Sequence, residues 1–233
     1  RLIWVIGPDQ SNAMRQLYAV CEHLGLGKIS DFTHIPYGYV GIKGEDGEFK
    51  KMSSRDGTSV LIDELIDNVK IKIAEEFASS SKEISLSDTD LETLALAAIK
   101  FSILKINRNQ DIAFDINSSI AVSGDSGIYI LYTISRLNSL IKKAESDNII
   151  PSPSALDNAS ELVKSLYRYN EVLEFAGAEL SLNPIAHYAM EVTTLFNSWY
   201  AAESILNGDN KEHKIAVVLA TRQILEKSLG ILG

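Results

Sequence analysis

Paired cysteine, clustered histidine, long apolar runs and excess positive charge are all missing from this sequence. A single cysteine, Cys21, in 233 residues excludes an internal disulfide framework and fits a reducing compartment. It falls within a helical pattern, where a small apolar side chain suits a core. The four histidines (His23, His34, His187 and His213) are scattered without ligand-like spacing, so no structural metal is expected. No apolar run is long enough to span a membrane, and no signal-peptide pattern is present. A cytoplasmic setting is therefore expected. With 22 basic against 31 acidic residues the net charge is −9, a poor match to the basic surfaces usual in nucleic-acid binders. RNA binding would require the acids to be segregated on a far face.

What is present suits one large domain or two modest ones, since 45% of the residues are hydrophobic and a sizeable core is within reach. The opening "RLIWVIG" reads as a buried parallel strand. Such a strand needs neighbours on both sides, so the chain is expected to be the downstream part of something longer. "GPDQSN" follows, then a helix with Met14, Leu17, Val20, Cys21 and Leu24 at three- and four-residue steps, stopped by Gly25. "THIPYGYVGIKGEDGEFKKM" reads as a strand, a turn at Asp46-Gly47 and a returning strand. "SVLIDELIDNVKIKIAEEFA" is a long amphipathic helix.

The serine-rich stretch from Ser79 to Thr89 is the best linker candidate. It divides an α/β portion, residues 1–82, from a helical portion, residues 83–233. Thr89-x-x-Glu92 has the form of a capping box. After an irregular, partly extended excursion, "DIAFDINSSIAVSGDS", helices are expected at about Ser126–Ser146, Asn158–Leu182, Pro184–Leu206 and Lys211–Leu229. Pro184 falls in a first turn, where it is tolerated. Short loops between amphipathic helices make an antiparallel bundle. The expected fold is thus an α/β segment followed by an all-α bundle, mostly helical overall.

Three stretches could carry chemistry. Gly7, Asp9 and Gln10 lie at the carboxyl end of the first strand, where open α/β sheets bind ligands. Asp9 could accept from a ribose hydroxyl, or Asp9 or Ser11 could simply cap the next helix. "KKMSSRDGTSV" combines Lys51, Ser53, Ser54 and Arg55 with a flexible Gly57. Those donors suit the charge that develops on a departing pyrophosphate. A solvated surface loop explains the same composition. On the helix after Gly127, Ile128, Leu131, Ile134, Leu137 and Ile141 form an apolar stripe. Tyr129, Tyr132, Arg136 and Lys143 share another face, and aromatic plus cationic groups suit unstacked bases and phosphates. Half-buried packing accounts equally well for the tyrosines. Tyr200 in "FNSWY" is a further candidate, while Trp199 is expected to pack in the core.

"KMSSRDG" running into "TSVLIDELID" resembles the second signature of class I aminoacyl-tRNA synthetases, in the variant of the arginyl-tRNA synthetases. "HIPYGYV" is similar to the segment lining their adenine pocket. The run from Ala97 to Ala144, with "FNSWY" and "TRQILEKSLGILG", resembles their helical anticodon-binding domain. The first signature, His-x-Gly-His, is not in these residues. Ala13 stands where the family often has histidine, and Asp56 replaces a usual basic residue.

The resemblance implies the end of a Rossmann-like catalytic domain joined to an anticodon-binding bundle. It implies an arginine–tRNA ligase that uses ATP with Mg2+, arginine and its cognate tRNA, and acts as a monomer. Lys51, Ser53, Ser54 and Arg55 would grip the phosphates, and Gly7, Asp9, Gln10, Lys51 and Met52 would lie at the ATP site. Tyr129, Tyr132, Arg136, Lys143 and Tyr200 would face tRNA. This chain alone would be inactive in arginine activation. A stand-alone RNA- or nucleotide-binding module is the alternative.

Overall fold

A computed structural model describes residues 1–43, 49–51, 61–79, 86–122, 124–153, 160–207 and 209–233. Two compact units emerge, and neither is a single stretch of chain. One comprises Arg1–Val60 with Ile106–Asp115, the other Leu61–Lys105 with Ile116–Gly233. The division at 82/83 follows chain order, whereas the packing units interleave.

In the first unit, β1 (Leu2–Val5) pairs in parallel with β2 (Phe32–Ile35). A 3-10 turn at Pro8–Gln10 leads into α1 (Ser11–His23). Trp4 on β1, Tyr18 on α1 and Phe32 on β2 bring their ring centres within 5.4 to 6.1 Å of one another. This cluster, with Met14, is the local core. Burial correspondingly pushes the Tyr18 phenol above its ordinary pKa.

The parallel pairing matches the expectation for the opening strand; its burial does not. Leu2, Ile3 and Val5 are 55%, 45% and 64% exposed, because a two-stranded sheet covers little of either face. The apolar positions of α1 divide the same way. Met14 is buried, Cys21 half-buried, and Leu17, Val20 and Leu24 exposed.

The segment "THIPYGYVGIK" is two strands rather than one. β2 ends at Ile35, and β3 (Val40–Lys43) belongs to a second sheet in the order β4-β3-β5. β4 (Phe49–Lys51) is antiparallel to β3, and β5 (Ile112–Phe114) is parallel to it. Pro36 offers no amide to a ladder, and Gly38 presses against the backbone of Gln110, which deflects the chain between the sheets. The turn expected at Asp46-Gly47 lies outside the described residues.

The second unit is helical. α2 (Ile62–Ser79) buries Leu65, Val69 and Ile73, and packs on α3 (Asp88–Leu104). Lys70 reaches Asp88 at 2.7 Å across that pair. The capping box forms two residues earlier than expected. Ser87 Oγ accepts from the Asp90 amide at 3.2 Å, and the Asp90 carboxylate accepts from the Ser87 amide at 3.0 Å. The helix therefore starts at Asp88, which places Thr89 and Glu92 inside it rather than at a cap.

After α4 (Ile116–Ser119) come α5 (Gly127–Ser146), α6 (Glu161–Tyr167), α7 (Tyr169–Glu179), α8 (Asn183–Ala202) and α9 (Lys211–Leu232). Of the helix expected over 158–182, residues 158 and 159 lie outside the described residues, and the rest is parted at Arg168, whose amide bonds back three residues to Ser165 at 3.0 Å, a tighter turn than α. Pro184 sits in the first turn of α8 as expected. Phe196, Ile130, Leu137, Ile215, Val218 and Leu225, each at most 1% exposed, form the centre of the core. Gly127 makes room for α3: a β-carbon there would stand 2.4 Å from the Ala97 carbonyl oxygen.

Candidate functional site

In the first unit the candidate residues gather where β1 gives way to α1. Ile6 continues the ladder by donating to Ile35 at 3.2 Å. Gly7 turns the chain out of the strand with open space where a β-carbon would stand. Asp9 and Gln10 are exposed on the 3-10 turn that follows. Helix α1 has no side-chain cap, and the Ser11 hydroxyl donates to the Pro8 carbonyl at 2.7 Å. Asp9 is therefore not a capping residue. Its Oδ2 instead accepts a 2.5 Å hydrogen bond from the Tyr39 hydroxyl.

Tyr39 is itself held from the other side. Its amide donates to Asp111 Oδ1 at 2.8 Å and its carbonyl accepts from Ile112 at 2.8 Å. The bond to Asp9, loss of water and the negative charges of Asp9 and Asp111 together raise its phenol pKa. The adjoining Gly38 amide donates to Arg108 at 2.7 Å. Sequence reasoning missed Tyr39 and Asp111 as partners. "HIPYGYV" marked the region, but nothing local announces a bond between residues 72 positions apart.

Lys51 closes β4, opposite Gly41 of β3. Its strand is thus tied to the same sheet as the Tyr39 segment. Met52, Ser53, Ser54 and Arg55 lie outside the described residues. Among the described residues, no group of three or more His, Cys, Asp or Glu side chains is placed to hold a metal ion.

In the second unit, α5 buries Ile128, Ile130, Thr133, Leu137, Leu140, Ile141 and Ala144. Leu131 and Ile134 of the expected stripe are half-buried. Tyr132 and Arg136, one turn apart on α5, meet Tyr200 of α8. The Arg136 guanidinium centre lies 5.0 Å from the Tyr132 ring centre and 4.8 Å from that of Tyr200. Tyr132 and Tyr200 remain 45% and 37% exposed. Tyr129 is half-buried and Lys143 exposed; among the described ring contacts neither joins this cluster. Trp199 is half-buried, its ring centre 6.2 Å from that of the core residue Phe196.

Asn197 is the member the sequence did not reveal. Its Oδ1 accepts from Arg136, while its Nδ2 donates to Thr133 Oγ1 at 2.8 Å and to the Thr193 carbonyl at 3.0 Å. The only sequence signal is an asparagine, a poor helix former, in the interior of a long helix.

Residues 1–116 match the family described as tRNA synthetases class I (R), catalytic domain, and residues 130–233 match the DALR anticodon binding domain. The chain belongs to the arginyl-tRNA synthetase family. It is similar to the arginine–tRNA ligases of Pediococcus pentosaceus, at 28% identity, and Clostridium botulinum, at 30%. Each comparison covers 99% of this chain and 41% of the relative. The chain thus spans about two fifths of the length of these curated arginyl-tRNA synthetases. In solved structures the fold is similar to that of the Thermus thermophilus arginyl-tRNA synthetase, with a TM-score of 0.81 at 21% identity, covering 99% of this chain and 39% of that one. The Plasmodium falciparum arginyl-tRNA synthetase gives 0.74 at 22% with the same coverage.

Proposed function

We propose that this chain is part of an arginine–tRNA ligase, supplying the end of the catalytic domain and the anticodon-binding bundle, with the functional division at 82/83. One observation carries the reading: a class I (R) catalytic segment and a DALR domain follow one another along a chain that aligns over 99% of its length with arginine–tRNA ligases. The substrates on this reading are ATP, arginine and the cognate tRNA. Mg2+ would arrive as part of the substrate, bound to the triphosphate. The enzyme would act in the cytoplasm as a monomer.

In activation, the arginine carboxylate attacks the α-phosphorus of ATP, forming arginyl-adenylate and releasing pyrophosphate. Lys51 at the end of β4, with Ser53, Ser54 and Arg55, would stabilise the charge developing on that leaving group; Met52 would line the same site. Gly7 leaves open space beside the exposed Asp9 and Gln10, where an adenosine could approach. Tyr39 fixes the carboxylate of Asp9 for a ribose hydroxyl. In the helical unit, Tyr129, Tyr132, Arg136, Lys143 and Tyr200 would form the tRNA-binding surface. The exposed apolar residues of β1 and α1 would be covered in the working enzyme, so this chain alone would not activate arginine.

Arginine-dependent ATP–pyrophosphate exchange by the full-length protein tests the reading. Lys51→Ala there is expected to slow exchange by roughly 100- to 1,000-fold, the usual cost of one such donor, with tRNA affinity nearly unchanged. Equal loss of both would overturn the role of Lys51. Exchange by the 233-residue chain alone would overturn its expected inactivity.

A further inference from the structure

We infer that Arg136 is a positioning residue, which locks Tyr132 and Tyr200 into one aromatic platform for an unpaired nucleobase, rather than a ligand of RNA phosphate. The inference rests on the proposed tRNA-binding role of this surface and specifies how it works.

Two of the five guanidinium N–H donors are engaged within the protein, one from each terminal nitrogen. One tyrosine ring from each of two helices lies within 5.0 Å of its centre. One terminal nitrogen donates to Asn197 Oδ1, and the other lies 3.4 Å from the Tyr132 hydroxyl. A phosphate ligand instead offers a free planar fork of donors.

The orientation of Asn197 is itself determined. Thr133 Oγ1 spends its proton on the Tyr129 carbonyl at 3.0 Å. It can then only accept from Asn197, whose amide nitrogen must face it. The amide oxygen is thereby left for Arg136. Thr133 and Thr193 are fully buried, so a core network sets the arginine, and the arginine sets the rings.

The platform continues inward, with the Tyr200 ring centre 6.0 Å from that of Phe196 in the core. Two partly exposed rings fixed by a cation offer π-faces on which bases stack with little sequence preference. The exposed Lys143, about 10 Å further along α5 by helical rise, is left as the cation for backbone phosphate.

The test measures binding of a transcribed arginine tRNA to this chain as a function of salt. Removing one cationic phosphate contact on an unpaired strand lowers the magnitude of the slope of log affinity against log salt by about 0.7, whereas loss of a stacking platform leaves it unchanged. Arg136→Met and Arg136→Lys are both expected to weaken binding roughly tenfold with the slope intact, and Lys143→Met to lower the slope. Wild-type affinity in Arg136→Lys, together with a reduced slope in Arg136→Met, would make Arg136 a phosphate ligand and overturn the inference alone. Unchanged binding in both Tyr132→Ala and Tyr200→Ala, or no binding by the wild type, would remove the tRNA surface itself. A measurement without RNA guards against variants that fail to fold. In the wild-type NMR spectrum the Arg136 side-chain protons should be shifted upfield by the two rings, and random-coil positions would overturn the platform.

Discussion

Gly38 lies so close to Gln110 that a β-carbon would stand 2.0 Å from the Gln110 carbonyl oxygen and 2.8 Å from the amide nitrogen of Asp111. Both obstacles are backbone atoms, which cannot swing aside as a side chain can. Gly38→Ala is expected to destabilise the first unit by about 2 to 3 kcal/mol and to part β5 from β3. Hydrogen exchange at Ile112, whose amide bonds to the Tyr39 carbonyl, would report it. Retained protection there would refute the prediction.

Tyr39→Phe removes the phenol that holds Asp9 and should leave the fold intact. In the full-length enzyme, KM for ATP should rise several-fold with kcat little changed, since a ground-state contact is lost. The double variant with Asp9→Asn should be no worse than Asp9→Asn alone, because the two side chains act as one unit. Additive losses in the exchange assay would argue against that coupling.

Gly127→Ala places a methyl group 2.4 Å from the Ala97 carbonyl and 3.0 Å from Phe101 Cβ. Overpacking of this kind costs about 1 to 3 kcal/mol, so the midpoint of urea unfolding should fall. A midpoint equal to that of the wild type would show that α3 and α5 can separate freely.

Tyr188 should govern alkaline stability. It is buried, and its hydroxyl donates to the Ser165 carbonyl at 2.9 Å. Burial, reinforced by the charge of Glu191, pushes its pKa up to about 12. Ionisation is thus harder in the folded state than in the unfolded chain, where the value is about 10. The stabilisation is complete below pH ~10 and is lost as pH rises towards ~12, amounting to roughly 2 to 3 kcal/mol. Unfolding free energies measured across that range should fall by this amount in the wild type and by much less in Tyr188→Phe.

The helices were legible because their signals are local. The apolar spacing of α2, the proline opening α8 and the alternation of apolar and polar faces on α5 each lie within a few turns of chain. The capping box was misplaced because Thr89-x-x-Glu92 and Ser87-x-x-Asp90 overlap, and only packing decides where α3 begins. The break at Arg168 has no glycine or proline to announce it.

Long-range relationships left no trace in the sequence. β5 reads as an irregular excursion, since a three-residue strand becomes a strand only beside β3. The network around Tyr39 joins Asp9 to Asp111 across 102 positions. Tyr132, Arg136 and Tyr200 could be named from sequence, but Asn197, which orders them, could not.

The interleaving of the two units has a bearing on inheritance. The chain passes between them after residues 60, 105 and 115, and the ribbon Ile106–Asp115 completes a sheet begun far upstream. A single recombination point between α2 and α3 would give each descendant a sheet with β3 and β4 from one lineage and β5 from the other. Swapping either unit between lineages therefore demands coordinated crossovers, which favours the two being passed on together.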